Sequence, residues 1–178
     1  MVKVAGLDLS ASTRRYTGLA VIDDNTLLFI GRVKYDQEIL DTVTSYKPRI
    51  VAIDSPLSHA EGFREVDLVM KRRGFPVLPP GWRSMRMLVD RALKLKSLFE
   101  EQGLLVVETH PRSALKSSGC RDYDELLNAH GIKVGYSLSR DEYDAIVAAL
   151  VARYYSEDRA LKIEASDGVI YLLPRICV

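Results

Sequence analysis

Ser139-Arg140-Asp141-Glu142-Tyr143-Asp144-Ala145-Ile146-Val147-Ala148-Ala149-Leu150-Val151-Ala152 is the stretch that decides how this chain reads. Ser139, with Glu142 three residues later, is the capping-box arrangement that starts a helix. Tyr143, Ile146, Val147, Leu150, Val151 and Tyr154 then give the helix an apolar stripe. Asp141 and Asp144 are three residues apart, so they share a face. An acid in the first turn, such as Asp141, gains from the helix dipole and needs no other reason. Asp144 lies deeper, beside Ala145, Ala148, Ala149 and Ala152, where the dipole no longer accounts for it. Small residues let such a helix approach a sheet closely, and an acid on that face has chemical content.

Moving outward, three apolar, β-branched runs close on an acid: Val2 to Leu9 with Asp8, Arg49 to Ile53 with Asp54, and Leu104 to Thr109 with Glu108. Each has a plain alternative. Asp8 caps a turn into Ser10-Ala11-Ser12, Asp54 forms a turn with Ser55-Pro56, or Glu108 pairs with an arginine. In an open α/β sheet, however, ligands bind at the carboxyl ends of the strands. Clustered carboxylates repel one another unless a cation joins them. Hard cations with oxygen ligands, Mg²⁺ or Mn²⁺, remove that penalty and support phosphodiester hydrolysis. Asp8, Asp54 and Asp144 are therefore expected to converge as catalytic metal ligands, with Asp141 or Glu108 completing the set.

The other elements are read from period and punctuation. Tyr16 to Asp23 and Thr26 to Val33 are strands around the turn signal Asp24-Asn25, and Asp36 to Tyr46 has helical spacing. Phe63 to Arg73 and Arg83 to Gln102 are helices separated by a proline-rich loop, with short helical pieces after Pro111 and Asp122. Leu161 to Ala165 and Val169 to Leu173 read as a terminal hairpin. The result is an α/β chain with a mixed five-stranded sheet, three antiparallel strands and then parallel ones. Helices cover both faces, and the hairpin is additional. At 178 residues this is the length of one domain, with a basic helical insertion around 62–102.

With 47% hydrophobic and 28% charged residues, the composition excludes disordered, collagen-like and disulfide-scaffold classes. No apolar run has a membrane helix's length, and the first residues do not form a signal peptide. Cys120 and Cys177 are far apart and fit no metal spacing, so they read as free thiols of a cytoplasmic protein. His59, His110 and His130 form no zinc spacing either.

The net charge of +1 hides a tract, residues 62–96, with nine Lys or Arg against three acids. This tract either solvates two surface helices or meets a polyanion such as nucleic acid. Arg64, one turn before Asp67, either forms a local ion pair or holds a substrate phosphate. Trp82 either plugs the core or stacks on a base.

These residues resemble the ribonuclease H-like superfamily, in particular the branch of the RuvC-type Holliday junction resolvases. Its hallmarks are an Asp on the first strand, an acid after the fourth, and a final helix with two acids followed by small residues. Here these positions are Asp8, Asp54, and Asp141 with Asp144. Gly6-Leu7-Asp8 with Thr17-Gly18-Leu19-Ala20-Val21 is similar to the first hairpin, where glycine lets the second strand lie close. Asp54-Ser55-Pro56, Arg64-Glu65-Val66-Asp67 and Glu108-Thr109-His110-Pro111 resemble, in order, an uncharacterised family of predicted nucleases with a ribonuclease H fold.

The resemblance implies a metal-dependent nuclease that takes Mg²⁺ or Mn²⁺ and binds nucleic acid through Arg64, Arg83, Arg86 and Lys116. A homodimer is compatible with it, since resolvases make two symmetric cuts. A non-catalytic nucleic-acid-binding or scaffold protein, or a hydrolase of small phosphorylated metabolites, remains the alternative. The sugar kinases of this fold carry Asp-x-Gly-x-Thr/Ser, whereas this chain has Asp8-Leu9-Ser10-Ala11-Ser12 without the glycine. A nucleotide-driven switch is not expected.

Overall fold

The computed structural model describes residues 2–178. β1 (Lys3–Asp8), β2 (Thr17–Asp23) and β3 (Thr26–Val33) form an antiparallel meander, followed by α1 (Asp36–Ser45) and β4 (Ile50–Asp54). Then come α2 (Glu65–Arg72), α3 (Arg83–Glu101), β5 (Leu105–Thr109), α4 (Pro111–Ser118) and α5 (Tyr123–Ala129). The chain ends with α6 (Arg140–Ser156), β6 (Leu161–Ala165) and β7 (Gly168–Leu172). The strands form one sheet in the order β3-β2-β1-β4-β5-β7-β6, with β1, β4 and β5 parallel.

The expected five strands thus become seven, because the terminal hairpin extends the sheet instead of standing apart. β7 pairs parallel to β5 at Thr109 and Tyr171, and the Thr109 hydroxyl donates to the Tyr171 carbonyl at 2.8 Å.

Alternation along the strands sorts side chains onto two faces. Val4, Ile50 and Ala52 pack with α6, α2, α4 and α5; Ala5, Leu7, Val51 and Ile53 pack with Ile39 and Val43 of α1 and Leu95 and Phe99 of α3. α6 sits extremely close to the sheet. A Cβ on Gly6 would lie 2.2 Å from both the Ala145 carbonyl oxygen and the Ala149 nitrogen. A Cβ on Gly18 would lie 2.0 Å from the Asp141 carbonyl oxygen. These two glycines therefore admit the helix backbone, not the neighbouring strand as the sequence suggested. They lower the acidic start of α6 onto the ends of β1 and β2.

The cysteine reading is corrected. Cys120 and Cys177 form a disulfide. After β7 the tail turns back over the end of α4, where the Ile176 and Cys177 amides donate to the Ser118 carbonyl. A separation of 57 residues in sequence places no limit on proximity in space, and the reading of free thiols in a cytoplasmic protein loses its basis. Among the described residues no helix is long and apolar enough to cross a membrane.

Candidate active site

Register explains which acids meet. Leu7 is level with Ile53 across β1 and β4, so the next positions, Asp8 and Asp54, leave the strand ends side by side. Both continue the alternation of Gly6 and Ala52 and so face α6. Their carboxyl groups are in hydrogen-bond contact. Burial pushes the Asp8 carboxyl well above the usual carboxylate range, and the charges of Asp54, Asp144 and Asp141 push it the same way. Asp54 is also raised, chiefly by burial.

Asp144 is buried on α6 and accepts a hydrogen bond from the Tyr123 hydroxyl of α5. Burial raises it too, opposed by that hydrogen bond and by the charges of Arg140 and Arg112. Asp141, half-buried in the first turn of α6, bears on both Asp8 and Asp144.

Glu108 is placed differently. In the register of β4 and β5 it is level with Ile53, one position short of Asp54, so the pleat turns it away from the Asp8–Asp54 contact, although its charge still bears on Asp54. There its carboxylate accepts from Arg64 Nη1 at 2.9 Å, Arg64 Nη2 at 2.6 Å and the Leu57 amide at 2.9 Å. Arg64 also donates to both oxygens of Asp67 and to the Ser58 hydroxyl.

The expectation that Arg64 holds a substrate phosphate is therefore corrected. The residue is 2% exposed and its guanidinium is fully engaged by two internal carboxylates. The arrangement is the Arg-x-x-Asp pair joined to the acid of Glu-x-x-Pro, a tertiary link between the two motifs. Asp167, in the β6–β7 turn, fixes the same corner by accepting from the Glu65 and Val66 amides.

The basic tract is likewise divided. Arg91 is buried, donating to Asp36, the Lys34 carbonyl and both the carbonyl and hydroxyl of Ser10, which pins the loop after β1. Lys94 pairs with Asp36 and Lys96 with Glu100. Arg83 and Arg86 are exposed at the start of α3. Lys116 is exposed and donates to the Gly74 carbonyl, closing the end of α2. Trp82 is 56% exposed and does not plug the core.

Of the other neighbours of the acids, Arg112 and Tyr123 had no signal in the sequence, and His110 stood within the Glu108-Thr109-His110-Pro111 motif. Arg112 lies in the first turn of α4 and holds Asp54 and Asp144 down electrostatically. His110 contacts the Ser113 hydroxyl through Nδ1 and is pushed down to about 4 by burial, so it carries no charge near neutrality. Tyr123 follows an ordinary helix cap, Asp122, and nothing in its surroundings marks it as a partner of Asp144.

The donor set suits a hard cation: four carboxylates, two of them in contact, with Asp8, Asp54 and Asp144 raised chiefly by burial. The set is open, however. Among the described residues the one group of three Cys, His, Asp or Glu with ligand atoms all within 4.8 Å of one another is Cys120, Glu125 and Cys177, whose sulfurs are bonded to each other. No three of the four acids bring their oxygens within that distance of one another.

Sheet order, helix placement and acids at the strand ends together define a ribonuclease H-like α/β fold. Thermus thermophilus RuvC, solved in complex with a Holliday junction substrate, is similar over 89% of this chain and 98% of its own, with TM-score 0.59 and 17% identity. A second T. thermophilus RuvC structure gives TM-score 0.56 at 17% identity, covering 88% of this chain and 97% of its own. No protein-family model and no curated protein sequence matches the chain.

Proposed function

We propose that the chain is a divalent-metal-dependent nuclease, cleaving phosphodiester bonds at Asp8, Asp54, Asp144 and Asp141. The observation that carries this reading is the packing of Asp8 against Asp54 beneath Asp144. Buried like charges at contact distance cost stability, and a fold keeps them where a cation is to be held. When bound, Mg²⁺ or Mn²⁺ supplies neutralisation of the acids and of the phosphate oxygens. Asp8 and Asp54 are the paired ligands, Tyr123 orients Asp144, and Asp141 bounds the site from the first turn of α6. Arg112, beside the acids, is placed to hold a substrate phosphate.

Nucleic acid as the substrate is supported by the exposed Arg83 and Arg86 and by the likeness to a protein solved on a Holliday junction. The test is Mn²⁺ titration with thermal melts, followed by hydrolysis of plasmid, four-way junction, RNA–DNA hybrid and a small phosphodiester. Mn²⁺ should raise the melting temperature of the parent protein and not of Asp54→Asn. Cleavage of at least one polymer should disappear with that substitution. Binding should weaken steeply between about 50 and 200 mM salt, as counterion release requires. A melting temperature indifferent to Mn²⁺ overturns the reading, and cleavage of the small phosphodiester alone reassigns the substrate.

A further inference from the structure

A cavity of about 400 Å³ opens beside the acids. Its lining combines Asp54, Asp144, His110, Arg112 and the Arg64–Glu108 pair with the apolar side chains of Val77, Leu78, Met85 and Leu88. Gripping phosphates alone requires none of those apolar side chains. Val77 and Leu88 also pack against the core, but Leu78 is 54% exposed, and on the same segment Trp82 and Met87 are 56% and 49% exposed. Large apolar groups left in water around a concave, partly charged site mark a place for a ligand with an apolar face.

Resting on the nuclease reading, we propose that this cavity receives a nucleobase unstacked from the strand whose phosphate lies at the acids. A volume of 400 Å³ falls in the small-molecule range; it suits a single base with its sugar and does not admit a double helix. Charge complementarity selects this occupant over an apolar peptide. Arg112 lines the cavity together with the carboxylates, and the exposed Arg83 and Arg86 flank the lining residue Met85 along α3, cations available to phosphates on either side of the inserted base. Bases offer flat π-faces to apolar and aromatic side chains, and Trp82 provides such a platform at the start of α3. Extracting a base costs least from a single-stranded or already opened segment. The substrate class that fits is therefore single-stranded or locally unpaired nucleic acid.

Binding in EDTA, where nothing is cut, tests the proposal with the full chain. The probes are a fluorescein-labelled single strand of about 20 nucleotides, its duplex, and the same strand with abasic sites. Fluorescence anisotropy gives affinity, and quenching of Trp82, the chain's single tryptophan, reports from the start of α3 next to the lining residue Met85.

The single strand should bind at least about tenfold more tightly than the duplex and than the abasic strand. Leu78→Ala and Trp82→Ala, at exposed positions, should each weaken the base-bearing strand by about 5- to 100-fold while barely affecting the abasic one. Met85→Trp, which fills the cavity, should do the same. Unchanged melting temperatures establish that the variants are folded. Equal affinity for the three probes, affinities unmoved by all three substitutions, or no binding at all would overturn the proposal. Mn²⁺ alone separates the two readings. A missing Mn²⁺ shift with base-dependent binding intact removes the metal-dependent reading only, and a normal shift with base-insensitive binding removes the pocket only.

Discussion

Asp8 and Asp54 leave adjacent parallel strands one position beyond the level pair Leu7 and Ile53, and their carboxyl groups touch. Among the described residues neither belongs to a salt bridge; each is hydrogen-bonded to the other, with Asp144 and Asp141 adding to the repulsion on Asp8. The folded protein thus favours protons, or a cation, at this point.

This relationship fixes a pH dependence. Asp8 is raised to about 9 and Asp54 to about 7, each from 3.8. A carboxyl with a raised folded pKa contributes stability that is fully present below its unfolded value and lost as pH rises through the folded one. In EDTA, the melting temperature should fall between about pH 5 and 9. Asp8→Asn should flatten that slope, and the Mn²⁺ increment of the parent should grow with pH as the protons it displaces become fewer. Melts at several pH values, with and without Mn²⁺, measure all three.

Asp144→Asn removes one negative charge from the cluster and leaves Tyr123 facing an amide, whose carbonyl still accepts its hydrogen bond. Stability in EDTA should hold or rise, while the Mn²⁺ increment, about 2.7 kcal/mol for a ligand at 100 times its Kd, should shrink by more than half. A large loss in EDTA with the increment intact would make Asp144 a structural acid balanced by Arg140 and Arg112.

Arg64 carries the opposite expectation. Arg64→Ala strands Glu108 and Asp67, both buried, and should cost about 3–5 kcal/mol in urea unfolding. Arg64→Lys should also be costly, because an ammonium cannot reproduce the paired donors to two carboxylates. A loss under about 1 kcal/mol, the size expected of an exposed pair, would show that the residue is not the corner post described.

The disulfide ties the C-terminal tail to the turn after α4, closing a loop of 57 residues. Cys177→Ser should lower stability by about 2–4 kcal/mol. The parent should melt lower after full reduction, and the variant should melt alike in both conditions. A parent insensitive to strong reductant would argue against the bond.

Local chemistry made much of this legible in the chain. Strand alternation, the Ser139 cap and acids closing apolar runs are short-range patterns, so element order, the long final helix and the roles offered to Asp8, Asp54 and Asp144 could be read directly. What required the tertiary structure was everything that depends on register or on long loops closing. Glu108 closes its strand just as Asp54 does, yet a one-residue difference in level gives its carboxylate to Arg64. The local pair of Arg64 with Asp67 was one of the two readings the sequence offered, but the arginine's second partner is 44 residues away and could not be read. Gly6 and Gly18 looked like hairpin residues because the helix they admit lies far along the sequence. The hairpin joined the sheet, and Cys177 met Cys120, only once β7 had docked beside β5. Side-chain period is a property of a segment; partnership is set by how segments align, and that alignment is fixed by the packed core as a whole.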